Sequence, residues 1–289
     1  MLNQQEGYDI STSCNLLELP RSTYYYQPVQ ADESAVEEAI EEIAGRFPTY
    51  GTRRIMHQLR RSPHDIRINR KRVQGFMAQK DLLRPVRRRK KRTTDSNHPY
   101  PRYLNLVKDL KVVRPDQVWV SDITYIRLHQ EFVYLAVILD VFTRSIRGWN
   151  LSRNLDTELT LEALQRALSL CIPEIHHSDQ GVQYAAYDYV ALLNRYHVQI
   201  SMAAQGKPEE NGYAERLTLA PHASAGVRTL KEEEVDLSEY NDLADAYQQI
   251  GRFLEDVYNT KRIHSALGYL TPVEFEAAWR MAQPVRTTP

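Results

Sequence analysis

The stretch VWVSDITYI, from Val118 to Ile126, decides the fold of the second half of the chain. It is rich in β-branched and aromatic residues, which predicts a strand, and it carries the carboxylate of Asp122 in its middle. Asp122 shares a strand face with Val118 and Val120, where an ionised side chain is costly to bury without a partner or a metal ion. The stretch therefore predicts a buried strand with an acidic residue that needs neutralising.

The sequence after this strand predicts an α/β domain. Two apolar stretches, EFVYLAVILDVF (131–142) and SIRGWNL (145–151), predict further strands, and their short connections favour antiparallel pairing. Asp156 then caps a predicted helix, and PEIHHSDQG predicts a short strand that runs into a turn. A helix over 187–197, a strand over 198–202 and a helix from about Gly212 complete the order. This order predicts a mixed sheet with helices on its faces.

The charges are unevenly distributed along the 289 residues, although the formal net charge is +0. Residues 1–113 hold 21 Lys and Arg against 13 Asp and Glu, and the remaining residues hold 16 against 24. Between Arg46 and Arg92 there are 17 basic and 2 acidic residues, which is typical of a module that binds a polyanion. Nucleic acid is the leading partner, and a solvated basic surface is the alternative.

The basic segment overlaps a pattern of three short helices. Val36, Ile40 and Ile43 form the apolar stripe of the first, which begins after Asp32. The second is predicted over 52–61 with Ile55 and Leu59 inward, and the third begins at Asn69 with Val73, Phe76 and Met77 inward. This pattern indicates a helix-turn-helix module, although such modules also serve as protein-interaction domains. The expected DNA contacts are Arg53, Arg54, Arg70, Lys71 and Arg72, with Arg87, Arg88, Arg89, Lys90 and Lys91 in a basic linker.

Two more carboxylates extend the acidic pattern. Asp179 follows the strand in HHSDQG, and Glu215 lies in the first turn of a predicted helix. Carboxylates that converge at one sheet edge repel one another and favour hard divalent cations such as Mg²⁺ or Mn²⁺. Taken singly, Asp179 also fits a turn residue, Glu215 a helix-start residue and Asp122 a salt-bridged strand residue.

The phrases around these residues resemble one family. FPTYGTRRIMHQLR, WVSDITYI, YLAVILDVFTRSIRGW, HHSDQGVQY, QGKPEENGYAERL and YNTKRIHSALGYLTPVEF stand in the order found in the integrase-core (OrfB) transposases of the IS three family of bacterial insertion sequences. The resemblance spans nearly the whole chain. It implies a ribonuclease H-like fold and a triad with 35 residues between its second and third carboxylates, carried here by Asp122, Asp179 and Glu215.

By this resemblance the triad holds two Mg²⁺ or Mn²⁺ ions and catalyses DNA strand cleavage and strand transfer. The implied DNA is the element's terminal inverted repeats and a target, bound by a homo-oligomer, with an upstream OrfA-type partner or a frameshift fusion as a further implication. His176 and His177 either approach the phosphate or are structural. Asp140 is interpreted as structural. Asn259, Arg262 and His264 either help to hold DNA or fasten a helix end.

The chain departs from the family after Glu215. The text AERLTLAPHASAGVRTLKEEEV places Lys231, an expected DNA contact, 16 residues after Glu215, whereas the family interval is seven. Thr218 to Gly226 has the form of a nine-residue insertion, and its Pro221 and Gly226 are helix breakers. The insertion either bulges out harmlessly or impairs catalysis. The alternative function is therefore a DNA-binding remnant without catalysis, and a different nuclease on the same fold is a third interpretation.

The remaining sequence features indicate the class of protein and the domain boundaries. No stretch approaches the roughly 20 apolar residues of a membrane span, no secretory signal is evident, and two cysteines provide neither a disulfide framework nor a metal cluster. A cytoplasmic, nucleoid-associated protein is expected. The predicted divisions are a helical lead-in (1–30), a helix-turn-helix-like module (31–83), a basic linker (84–113) and a catalytic core with C-terminal helices (114–280).

Overall fold

The computed structural model describes residues 9–26, 33–83, 103–128, 131–203, 230–235 and 237–283. Two short helices come first, α1 (Ile10–Leu16) and α2 (Arg21–Tyr24). Asp9 caps α1 by accepting a hydrogen bond from the Thr12 backbone N–H at 3.1 Å. The described part of the predicted lead-in thus contains two short helices.

Three further helices, α3 (Ser34–Arg46), α4 (Thr52–Leu59) and α5 (Arg70–Gln79), make up the helical module, residues 33–83. Asn69 caps α5 as predicted, since its Oδ1 accepts from the Arg72 N–H at 2.9 Å. Helix α4 ends at Leu59, before the predicted end at Arg61, because Pro63 has no N–H to donate to the Leu59 carbonyl, which accepts from the Ile66 N–H at 2.7 Å instead. The predicted inward residues are buried together: Ile40, Ile43, Ile55, Leu59, Val73, Phe76 and Met77.

A five-stranded mixed sheet follows, with the strand order β3-β2-β1-β4-β5. Its first three strands pair antiparallel, and β4 and β5 add in parallel, so the predicted sheet is confirmed. The strands are β1 (Val118–Arg127), β2 (Phe132–Asp140), β3 (Ile146–Ser152), β4 (Ile175–Ser178) and β5 (Gln199–Met202).

Helices cover both faces of this sheet. One face packs α6 (Thr157–Leu170), α7 (Val182–Ala185) and α8 (Tyr187–Arg195) against alternate residues of β1 and β2, among them Trp119 and Ile138. Asp156 caps α6 as predicted, accepting from the Leu159 N–H at 3.1 Å. The short helix α7 is an addition to the predicted elements.

The other face, here called the carboxylate face because Asp122 lies on it, packs against the C-terminal segment. This segment contains the π-helical turn Lys231–Val235, α9 (Leu243–Arg252), a π-helical continuation (Phe253–Tyr258), the 3-10 turn Ser265–Leu267 and α10 (Pro272–Ala282). Leu230, Ile250 and Leu254 are buried there against Val137 and Leu139 of β2. The same segment contacts the helical module, because Ile263 belongs to the apolar cluster of α3, α4 and α5.

None of the helices in these described ranges has the length and apolar character that a membrane span requires.

Candidate active site

Asp122 and Asp179 occupy matching positions on neighbouring parallel strands. Strand β1 pairs with β4 so that Val120 lies beside His177. Each aspartate comes two residues later in its own chain segment, Asp122 within β1 and Asp179 directly after β4. Parallel neighbours are about 4.8 Å apart, so this register brings the positions of Asp122 and Asp179 next to each other at one edge of the sheet. The structure thus brings together two of the three predicted residues.

The surroundings of Asp122 make a bare negative charge unfavourable. Its side chain is buried at 6% exposure, and its Cα partner on β2 is Val137, a residue of the apolar cluster on this face. Thr124, two residues further along, has a buried hydroxyl without a hydrogen-bond partner in the described part of the chain. A buried carboxylate among apolar groups calls for a compensating cation or a hydrogen-bond network.

Asp179 is oriented by the turn that follows it. Its Oδ1 accepts a hydrogen bond from the Gly181 backbone N–H at 3.1 Å, while the Ser178 hydroxyl donates to the Asp179 carbonyl at 2.9 Å. A side chain at position 181 would bring its Cβ within 3.0 Å of that carboxylate oxygen. Glycine here therefore keeps space open beside the Asp179 carboxylate, as a site for a cation needs.

These observations fit a hard divalent cation, which prefers carboxylate oxygens. Within the described ranges, no three His, Cys, Asp or Glu side chains form a group that could hold a metal ion. The third predicted ligand, Glu215, lies outside the described residues, as does the insertion Thr218 to Gly226.

His176 lies on the opposite face from the carboxylates and is structural. Its Nε2 lies 2.7 Å from Ser121 Oγ and 3.0 Å from the Tyr189 hydroxyl. Burial, aided by His177, lowers the pKa of His176 to about 3, so its ring stays neutral. The resulting contact ties β1 to β4 and α8 behind the two carboxylates.

His177 faces the carboxylate side, where its Nδ1 lies 2.8 Å from Ser201 Oγ on β5. Ser201 is the Cα partner of His177, and its hydroxyl also accepts from the Leu106 N–H at 2.9 Å. This contact connects β4, β5 and the segment that precedes β1.

Asp140 is structural, as interpreted from the sequence. Its Oδ1 accepts from the Thr143 N–H at 2.7 Å and from the Thr143 hydroxyl at 3.0 Å, which closes the turn after β2. Its other oxygen accepts from the Asp116 N–H at 2.5 Å. Burial raises the pKa of Asp140, and nearby Arg147 opposes that rise.

The C-terminal polar residues fasten structure in the described part of the chain. Asn259 makes two hydrogen bonds with the backbone of Ile146, at 2.9 and 3.1 Å, which join the π-helical segment to β3. The guanidinium of Arg262 pairs with Glu233 at 2.6 and 2.7 Å and lies 3.2 Å from the ring of His264. Burial is the main cause that lowers the pKa of His264 to about 2, and the positive charge of Arg262 is the second.

The expected DNA contacts fall into three groups. Arg53, Arg70 and Lys71 are exposed, and none of them makes an ion pair with another described residue. Arg72 is exposed but pairs with Glu33, and Arg54 pairs with Glu233 at 3.4 Å. Residues 87–91 lie outside the described residues, and so does the side chain of Lys231.

Known protein families match the helical module, the sheet and the C-terminal segment of this chain. The Integrase core domain family matches residues 112–208, a second Integrase core domain family matches 196–272, and the HTH-like domain family matches 30–91. The chain is 34% identical over 274 residues to an insertion element IS600 protein of Shigella sonnei, covering 91% of this chain and 96% of that protein. It is 28% identical to transposase InsF for insertion sequence IS3A of Escherichia coli K12, covering 94% and 95%.

Among solved structures, the HTLV-2 integrase catalytic core domain in complex with magnesium is 18% identical to the chain, with a TM-score of 0.40. The alignment covers 57% of this chain and 98% of that one.

Proposed function

Because the chain belongs to the insertion-sequence transposases of the IS three family, we propose that Asp122, Asp179 and Glu215 hold two divalent metal ions against a DNA phosphodiester. The protein is a DNA transposase with a ribonuclease H-like core. The observation that supports the metal assignment is the parallel register of β1 and β4, which brings Asp122 within β1 and Asp179 directly after β4 to neighbouring positions. Two oxygen ligands on one face of a rigid sheet are preorganised for a hard cation.

The proposed reaction has two steps at phosphorus. Water first hydrolyses a phosphodiester at the element's end and leaves a free 3′-hydroxyl. That hydroxyl then attacks a target phosphodiester, forming one P–O bond while the bond to the departing 3′ oxygen breaks, so no covalent protein–DNA intermediate arises. Mg²⁺ or Mn²⁺, when bound, activates the attacking oxygen and stabilises the leaving one.

The chain's own residues supply position and charge. The Gly181 N–H directs one oxygen of Asp179, and the Ser121–His176–Tyr189 contact fixes the strands that carry both aspartates. Arg53, Arg70 and Lys71 are the proposed phosphate contacts of the helical module, with residues 87–91 and Lys231 as further candidates. The proposed DNA partners are the terminal repeats and the target.

The chain is further proposed to act as a homo-oligomer on DNA, since each element has two ends to be processed. The comparisons give no support for an OrfA-type partner, and no described residue favours the reading as an inactive remnant.

A strand-cleavage and strand-transfer assay on terminal inverted-repeat DNA tests the function. The wild-type protein is expected to nick the element end and join it to target DNA when Mg²⁺ or Mn²⁺ is added, and to do neither in excess EDTA. Nicked products without joined ones would indicate a nuclease. Cleavage that persists in EDTA would overturn the metal assignment.

A further inference from the structure

Helix α4 and the residues that flank it are fastened to the C-terminal segment. Four residues make these contacts and are here called the clamp stripe: Tyr50 just before α4, Arg54 and His57 on one side of α4, and Arg61 just after it. The Tyr50 hydroxyl accepts from the Ile263 N–H at 3.0 Å, and the His57 ring stacks on Tyr269 with centroids 3.5 Å apart.

Arg61 is the last residue of the clamp stripe in the chain. It donates to the Tyr269 carbonyl at 3.4 Å and forms an ion pair with Glu274 on α10. The contacts of the stripe therefore reach two separate parts of the C-terminal segment, the loop around Ile263 and the start of α10.

Glu233 lies where the clamp stripe meets the catalytic half of the chain, which consists of the sheet, its helices and the C-terminal segment. Its two carboxylate oxygens accept from Arg262 at 2.6 and 2.7 Å, and one of them also faces Arg54 at 3.4 Å. The side chains of Glu233 and Arg262 are only 9% and 3% exposed. One carboxylate thus connects the helical module, the π-helical turn that begins at Lys231 and the loop after Tyr258.

The packing of the helical module on the C-terminal segment does not by itself require the ion pairs of Glu233. Ile263 and Tyr269 already pack in the apolar cluster of the module, and a buried ion pair adds little net stability compared with apolar groups of the same size. The bidentate contact with Arg262 lies within the C-terminal segment, and its planar fork holds the Glu233 carboxylate in one orientation. From that orientation one oxygen of Glu233 faces Arg54 of the helical module at 3.4 Å, so the carboxylate is suited to positioning the module.

The basic face of the module points elsewhere. Arg53 precedes Arg54 by one residue, which places it about 100° around α4 from Arg54, and Arg60 directly follows the helix. Both are exposed, as are Arg67, Arg70 and Lys71, and none of these five side chains has an ion pair with a described residue. These five side chains, here called the outward basic face, are not part of the clamp stripe, so we expect DNA bound to them to leave the contacts of Glu233 in place.

We propose that Glu233 is a positioning residue, which holds the helical module against the catalytic half through Arg54 and Arg262 while the module's outward basic face binds DNA. DNA bound by the module then meets Asp122 and Asp179 in one orientation. The role of Arg54 is accordingly coupling, and that of its neighbour Arg53 is phosphate contact. This inference rests on the proposed function for its catalytic readout.

Neighbouring arginines provide a matched test. Arg54→Gln, whose side chain is 28% exposed and tolerates substitution better than Arg262, should leave the DNA dissociation constant within about twofold. At saturating DNA it should lower cleavage at the correct phosphate by about 10- to 100-fold, because misplacement of about 1 Å has effects of that size. Arg54→Lys should recover most of the activity. Arg53→Gln should weaken DNA binding and leave the cleavage position unchanged once DNA is saturating.

Amide hydrogen exchange at Ile263 supplies a readout that needs no activity. Its N–H is buried against the Tyr50 hydroxyl, so loosening the clamp by Arg54→Gln or Glu233→Gln should raise its exchange rate by about tenfold or more, whereas Arg53→Gln should not. Unchanged exchange in both clamp variants would overturn the proposal. Equal loss of DNA affinity in Arg54→Gln and Arg53→Gln, with normal cleavage at saturation, would also overturn it. A wild-type protein that never cleaves would instead refute the proposed function, and the exchange result would still decide whether the clamp exists.

Discussion

Ser121 on β1 and His176 on β4 touch through their side chains, at 2.7 Å, directly behind the strands that carry Asp122 and Asp179. The contact is buried, and the Tyr189 hydroxyl closes it from α8 at 3.0 Å. A neutral ring in this position connects hydroxyl groups without placing a second charge next to the carboxylates. The sheet therefore separates a neutral polar support on one face from the charged site on the other.

This burial predicts a loss of stability in mild acid. The pKa of His176 is about 3 and that of His264 about 2 in the folded protein, whereas an unfolded histidine titrates near 6.5. As the pH falls below 6.5 the unfolded chain takes up protons that the folded protein does not. Each histidine should therefore remove about 1.4 kcal/mol of unfolding free energy per pH unit.

Urea unfolding of the wild type and of His176→Gln at pH 7, 6 and 5 measures this dependence. The variant should be less stable at pH 7 but should lose stability less steeply below pH 6.5. Parallel pH dependences for the two proteins would contradict the prediction.

The candidate metal ligands should be separable from DNA binding. Asp122→Asn and Asp179→Asn should each reduce strand cleavage by at least about 100-fold, since even residues that only orient metal ligands contribute about 10- to 100-fold. DNA affinity measured without divalent metal should stay within about twofold. Asp188→Asn, an exposed carboxylate in the first turn of α8, is the control and should cleave normally. Normal cleavage by Asp122→Asn would remove that residue from the site.

The outward basic face should appear in the salt dependence of DNA binding. Arg70→Gln and Lys71→Gln should each weaken binding to any duplex and lower the slope of log K against log salt by about 0.9, as expected when one phosphate contact is lost. Arg195→Gln, which removes an exposed charge from the catalytic half, serves for comparison. An equal change in slope for Arg195→Gln would show that the effect comes from overall charge.

Two glycines should respond in opposite directions to alanine. An added Cβ at Gly148 in β3 would lie 2.3 Å from the Ala163 carbonyl oxygen of α6, so Gly148→Ala should destabilise the protein by about 2 to 3 kcal/mol. Gly75 in α5 has open space around it, so Gly75→Ala should stabilise by about 0.5 to 1 kcal/mol. Denaturant midpoints of the two variants provide the measurement, and a shift in the same direction for both would contradict it.

Much of the fold follows from local sequence. The strands β1 and β2 are long and apolar, and caps such as Asn69 and Asp156 are determined by a side chain within three residues of the groups they bind. The four-residue helix α7 is too short for a periodic pattern to appear. The alternation along β1 also placed Asp122 correctly among buried residues.

Long-range relations were beyond such reasoning. Arg53 and Arg54 are neighbours of the same type, and only the fold shows that Arg54 faces Glu233, which lies 179 residues away. The matched level of Asp122 and Asp179 depends on the parallel register of β1 and β4, and turn chemistry does not determine the register of parallel strands. For the same reason, the sequence alone leaves two roles open for Arg262 and His264: contact with DNA, or fastening of a helix end.

Ile263 completes the apolar cluster of the helical module, residues 33–83, and this has a consequence for biosynthesis. Roughly 180 residues separate Gln79 from Ile263, so a ribosome needs about 10 to 40 s between them. During most of that interval Arg54 lacks its partner Glu233, and Arg61 lacks Glu274 until after Ile263 has been made. A chain cut short before Ile263 would keep that side of α4 uncovered permanently, and its arginines would stay open to any polyanion nearby.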